Sequence, residues 1–187
     1  MKRLVIMTVG NTHSGKTTFA RDLELALNNA FIMDQDNTAE FLHTYYEKLL
    51  PNEGPNILKH TISRTIVDHA IRNTDLHLII CNSNRSRKSR TQLLETLFTK
   101  DKFVRILVNF NIADDVLQAR VKDSQRSTKI FRRSTLSFKQ VLDRQNAESL
   151  KEDIMDPDEN EADYVFNVHV NEEANAIIQK IIAIAQN

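Results

Sequence analysis

Five short apolar runs punctuate the chain, at residues 4–9, 30–33, 76–81, 103–110 and 164–168. The third and fourth are nearly continuous in Leu, Ile and Val, the pattern of strands covered on both faces. Between the runs, apolar residues recur at helical spacing. Residues 17–28 carry Phe19, Leu23 and Leu27 on one stripe, and residues 57–73 carry Ile62, Ile66 and Ala70. Segments 38–50, 91–98, 112–122, 138–150 and 172–185 complete the predicted helices. Strands that alternate with helices predict a five-stranded parallel sheet with right-handed crossovers and helices on both faces. Such a sheet carries its site at the carboxyl ends of the strands. The predicted class is α/β in three layers, as one domain over residues 1–187, long enough to bury a sizeable core. The acidic stretch 152–161, with Pro157 inside it, predicts a solvated surface loop.

Between the first strand and the first helix lies the chain's densest chemical signal. The sequence holds three glycines, and two of them frame Gly10-Asn11-Thr12-His13-Ser14-Gly15-Lys16-Thr17. This is G-x-x-x-x-G-K-[ST] in its strand-loop-helix context, the phosphate-binding P-loop. The chemistry explains the residue types. A phosphate is wrapped by consecutive backbone N–H groups, so the chain must approach closely and take unusual torsions, which Gly10 and Gly15 permit. The helix that follows adds its positive end. Lys16 puts a point charge on the β- and γ-phosphates, and the Thr17 hydroxyl is the predicted ligand of the bridging Mg2+. Residues Gly10 to Thr17 and the adjoining Thr18 are therefore expected to contact ATP. His13 occupies a variable position of the loop, with its side chain expected to face outward and no role of its own.

Charge and cysteine content narrow the setting. Twenty-five basic residues balance twenty-five acidic ones, so no global field favours nucleic acid or an anionic membrane. The single cysteine, Cys81, excludes an internal disulfide and suits a reducing cytoplasm. No apolar run approaches the ~20 residues that span a bilayer, and the first one leads straight into the phosphate loop.

The order of the polar clusters resembles the small P-loop kinases, and most of all the group of polynucleotide kinase, zeta-toxin and chloramphenicol phosphotransferase-like proteins. The resemblance covers roughly residues 3–146 and implies the three-layer P-loop NTPase fold. It rests on the P-loop and on three further landmarks. After the second strand comes Met33-Asp34-Gln35-Asp36. The family places an acceptor-binding aspartate there, and the resemblance puts Asp36 in that role with Asp34 beside it. A carboxylate at that point orients the acceptor hydroxyl, takes its proton and helps organise the metal. After the third strand, Cys81-Asn82-Ser83-Asn84, five residues and Arg90 stand where the family reads Asp-Ala-Thr-Asn, five residues and Arg. Asn84 and Arg90 match in place as substrate-binding candidates. Cys81 replaces the acid, which leaves Thr17 and Asp36 to organise the metal largely through waters. After the fourth strand, Arg120 and Arg126 have the R-x(5)-R spacing of a kinase lid, here about residues 120–134 with Lys129, Arg132 and Arg133. Such arginines stabilise the transferring phosphoryl group and exclude water on closure. With few apolar anchors besides Ile130 and Phe131, the lid is expected to be mobile or open without a polyanion beneath it.

These residues imply an ATP-dependent kinase with Lys16, Asp36, Arg120 and Arg126 as its catalytic groups. The acceptor is a small-molecule hydroxyl, on a nucleoside, a sugar or an antibiotic-like compound. Its specificity is expected from the segment 38–69. The basic cluster 85–90 leaves a polynucleotide 5′-hydroxyl kinase as the less favoured reading, since no aromatic residues interleave it for base stacking. Cys81 leaves a nucleotide-binding regulatory protein with little turnover. No N/T-K-x-D or D-x-x-G motif supports a GTPase switch.

Overall fold

The computed structural model describes residues 2–131 and 136–186. Strands β1 (Arg3–Gly10), β2 (Ala30–Met33), β3 (His77–Ile80), β4 (Phe103–Phe110) and β5 (Tyr164–Val168) form one parallel sheet in the order β2-β3-β1-β4-β5. Helices α1 (Lys16–Ala26), α2 (Gln35–Tyr45), α3 (Ile57–Asn73), α4 (Arg87–Thr96), α5 (Asp114–Lys122), α6 (Phe138–Glu148) and α7 (Glu173–Ala185) cover it. This is the α/β architecture predicted from the alternation of runs.

The period of two along β1 divides the core. Leu4 and Ile6 pack with Phe19 and Leu23 of α1 and with Ile177, Ile178 and Ile181 of α7. Val5 and Met7 face the opposite way, toward Val67 of α3, Leu94 of α4 and Phe98. Each such side chain, taken from water to nearly zero exposure, stabilises the fold by about 1.5–3 kcal/mol. The central strand thus holds two helical layers at once, and its carboxyl end is fixed from both faces.

Two helices start three or four residues ahead of the sequence prediction, for the same reason. Asp34 accepts a hydrogen bond from the Asp36 N–H at 2.9 Å and caps α2, so the helix begins at Gln35 rather than Thr38. Asp36 therefore sits in the first helical turn, not in a loop. Ser86 caps α4 through the Ser89 N–H at 3.1 Å, and Asp153 accepts from the Lys88 N–H at 2.8 Å, so that helix starts at Arg87 rather than Thr91. A side-chain acceptor that satisfies orphan amides lets a helix begin before its apolar stripe does.

The stretch 152–161 is a loop exposed at most of its positions, as expected, and its last residue is the exception. Its Glu161 is 6% exposed and forms a forked pair with the fully buried Arg90, at 2.9 Å to each nitrogen. Together with Asp153 on the start of α4, the acidic segment straps that helix to the rest of the molecule. Among the described residues, no helix is long and apolar enough to cross a membrane.

Candidate active site

The loop from Gly10 to Thr17 joins β1 to α1. Gly10 has φ 141°, and a Cβ there would lie 2.7 Å from the Phe110 carbonyl oxygen, so both torsion and space require glycine. Gly15, at φ 101°, is the N-cap of α1. The Lys16 ammonium folds back onto the loop, donating to the Asn11 carbonyl and, at 3.1 Å, to Ser14 Oγ. Burial pushes its pKa down to about 8; Arg126 acts in the same direction, while Asp36 and Asp34 oppose it. Thr17 lines the cavity above the loop, and Thr18 stands exposed at its rim.

Helix α6 grips this loop, an arrangement with no counterpart among the sequence motifs. Gln145 Oε1 accepts from the Thr12 N–H at 2.7 Å, and Asn146 Oδ1 accepts from Asn11 Nδ2 at 3.2 Å. No local pattern marks either residue, because α6 lies more than 120 positions downstream and meets the loop only in the fold.

Two carboxylates face the loop from the end of β2. Asp34 is buried, and burial raises its pKa, while the hydrogen bond from the Asp36 N–H works against that rise. Asp36 is more open, and its Oδ2 accepts from Arg126 Nη2 at 3.0 Å. Cys81 lies between this pair and the loop, its thiol donating to Thr17 Oγ1 at 3.8 Å. Burial, with Asp34 nearby, pushes the thiol up to about 11, so it is neutral and inert at physiological pH, as expected for a buried cysteine. Thr17, Asp34 and Asp36 are hard oxygen donors. Among the described residues, no three or more His, Cys, Asp or Glu side chains form a metal cage. That set suits Mg2+ carried chiefly by nucleotide phosphates with few protein ligands.

The two arginines of the predicted lid reach different partners. Arg120 donates to the His13 carbonyl at 3.1 Å and to Asn171 Oδ1 at 3.0 Å, which joins α5 to the loop and to the turn before α7. Arg126 bridges the cavity to Asp36, and its guanidinium lies 5.1 Å over the Phe138 ring. Next to it, Ser127 donates to Glu40 Oε1 at 2.9 Å. Residues 126–131 are thus tied to α2, contrary to the expected open segment: Asp36 and Glu40 supply the negative partners assigned to a polyanion. Arg132 and Arg133 lie outside the described residues. His13 does not point idly outward. Its Nε2 is 2.7 Å from Ser124 Oγ, and its ring packs edge-on against Phe138 at 4.7 Å.

Asn84 and Arg90 are not brought to this site. Asn84, at φ 44°, donates its amide to the Thr8 and Ile80 carbonyls at 2.9 and 3.4 Å, closing the ends of β1 and β3. Arg90 is fully buried and donates to Glu161 and to the carbonyls of Asn84, Arg85 and Met155, which leaves it nothing to offer a substrate. Arg85 is likewise consumed, donating to the Gln145 carbonyl at 2.7 Å and to Ser149 Oγ. Arg85 and Arg90 of the cluster 85–90 are thus framework, while Arg87 and Lys88 stay exposed at the start of α4. Of the third landmark, Cys81, Asn82 and Ser83 line the cavity, and Asn82 Oδ1 accepts from the Gln35 N–H at 3.1 Å.

Loop, carboxylates and arginines share one cavity of about 850 Å3, which extends from Thr18, Arg120 and Asn171 to Asn56, Lys59 and Phe131. The sheet order and the glycine-framed loop define a P-loop protein with the fold of the P-loop kinases. No protein-family model and no curated protein matches the sequence. Solved structures do match in fold. Shikimate kinase from Bacteroides thetaiotaomicron is similar at TM-score 0.59 and 15% identity, over 98% of this chain and 99% of that one. The Mycobacterium tuberculosis APS kinase, solved with AMPPNP and APS, is similar at TM-score 0.58 and 14% identity, over 100% and 99%. The tunicamycin resistance protein of Deinococcus radiodurans is similar at TM-score 0.54 and 17% identity, over 98% and 96%.

Proposed function

We propose that the protein is a kinase that moves the γ-phosphate of ATP to a hydroxyl of a small-molecule acceptor. The observation that carries this reading is the Asp36–Arg126 pair facing the Lys16–Thr17 end of the phosphate loop across one cavity. A base and a guanidinium at that point are what in-line phosphoryl transfer needs from a protein. Lys16 and the loop amides hold the β- and γ-phosphates. Thr17 and Asp36, with Asp34 behind them, would hold a Mg2+ ion, which would supply charge neutralisation to the phosphates. Asp36 takes the proton of the acceptor hydroxyl while that oxygen bonds to the γ-phosphorus. The bond to the β–γ bridging oxygen breaks, and ADP leaves. Arg126 moves from Asp36 to the transferring phosphoryl group, and Arg120 steadies the loop from the nucleotide side.

Residues 1–187 act as one kinase domain in this reading, with residues 120–134 as its lid and the cytoplasm as its compartment. The acceptor lies between Asn56, Lys59 and His60 at the start of α3 and the apolar wall of Ile130, Phe131, Leu136 and Phe138. Such a wall supports an acceptor with an apolar ring body more than a plain sugar. A polynucleotide end loses support, because Arg85 and Arg90 are engaged internally and none of the basic residues of 85–90 lines the cavity. The test is ATP consumption by the pure protein with and without a panel of hydroxyl acceptors. Acceptor-stimulated turnover supports the kinase. Tight ATP binding without turnover under any acceptor sinks it and favours a regulatory nucleotide-binding protein.

A further inference from the structure

The side chain at the variable loop position 13 makes contacts that the kinase reading does not use. His13 adopts φ 59°, a left-handed conformation uncommon outside glycine, which turns its ring toward α5 and α6. Nδ1 is 2.9 Å from Thr12 Oγ1 within the loop, and Nε2 is 2.7 Å from Ser124 Oγ just past α5. The ring meets the edge of Phe138, 4.7 Å between centroids at 73°. Both of these neighbours are also supports of Arg126. Ser124 Oγ accepts from the Arg126 N–H at 3.3 Å, and Phe138 carries the guanidinium 5.1 Å over its ring.

Resting on the kinase reading, we infer that His13 is a positioning residue that holds Arg126 in register with the phosphate loop. A long, partly exposed arginine gives up rotamer freedom when it is fixed. His13 reduces that loss by fixing both the backbone start of Arg126, through Ser124, and the ring on which the guanidinium rests. The imidazole does this without charge. Burial, then Arg126, Lys16 and Arg120, push its pKa down to about 4, so it adds no repulsion to a site already holding three cations. A shift of the loop on phosphate binding is thereby transmitted to the arginine that must meet the γ-phosphate.

The test uses ATP and ADP with Mg2+ by calorimetry, on the whole chain. Arg126→Ala is expected to lower the preference for ATP over ADP. His13→Ala is expected to lower it about three- to tenfold. In the double variant the two losses do not multiply, because each removes the same contact to the γ-phosphate. Ser124→Ala should reproduce part of the effect. His13→Asn, which takes positive φ readily, serves if His13→Ala fails to fold; it keeps the loop but lacks the ring. Equal weakening of ATP and ADP, or losses that multiply in the double variant, overturns the inference and leaves the kinase reading intact. A wild-type protein that binds neither nucleotide overturns both.

Discussion

The Asp36 carboxylate and the Arg126 guanidinium meet at 3.0 Å, linking the first turn of α2 to the segment that follows α5. Both side chains are partly exposed, 46% and 38%, so the pair contributes no more than about 1 kcal/mol. It is strong enough to seat the segment and weak enough for a triphosphate to displace. Asp36→Asn should therefore speed hydrogen exchange over residues 124–131 in nucleotide-free protein, and ATP with Mg2+ should slow it in wild type. Equal exchange in all three states would make Arg126 an ordinary surface residue.

The same substitution separates binding from chemistry. Asp36→Asn is expected to keep ATP affinity within a few-fold and to lower transfer by about 10²–10⁴, the range of general-base loss. Asp34→Asn serves as the comparison, since an amide can still cap α2. If transfer collapses in Asp34→Asn and survives in Asp36→Asn, the base is Asp34.

Lys16 gives a mutational and a pH prediction. Lys16→Ala should weaken ATP binding at least tenfold, the loss of a charge-assisted contact worth about 1.5–3 kcal/mol, with unchanged circular dichroism. In the free protein the ammonium titrates at about 8, and phosphates beside it raise that value in the complex. Below pH 8 both states are protonated and affinity is flat. Above it, binding must draw a proton onto Lys16, so affinity falls with rising pH by up to about tenfold per unit. Calorimetry at pH 9 in buffers of different ionisation enthalpy reads this uptake directly. Heats that do not depend on the buffer would contradict it.

Arg90 is expected to govern stability rather than substrate affinity. Arg90→Ala leaves Glu161 buried without its partner, a loss of about 3–5 kcal/mol that thermal or denaturant unfolding will record. Nucleotide affinity, measured well below the transition, should not change. A stable Arg90→Ala protein with weakened acceptor or nucleotide binding would restore the substrate role that its position in the motif implies.

Cys81 should resist alkylation in the native state. With a thiol at about 11, only about one molecule in a thousand is thiolate at pH 8, and the residue is 3% exposed. Labelling at the rate of global unfolding is the expected result. Fast labelling of folded protein would mean an open strand end beside Thr17.

Local chemistry alone makes the sheet and the phosphate loop legible along the chain. The runs at 103–110 and 164–168 are strands β4 and β5, and residues 57–73 are helix α3, because unbroken apolar stretches and 3.6-residue stripes depend only on near neighbours. Gly10 and Gly15 announce their torsions by being two of only three glycines in the chain. What the sequence does not display is partnership across distance. Asn84 and Arg90 hold the motif spacing, yet burial against Glu161 and the strand-end carbonyls spends their donors inside the fold. Gln145 and His13 carry no signature, yet the packing of the helices brings α6 and the end of α5 onto the loop. Spacing along the chain determines which groups can exist at the end of a strand. Only the packing of one element against another decides which of them keep a free hydrogen-bonding valence for a ligand.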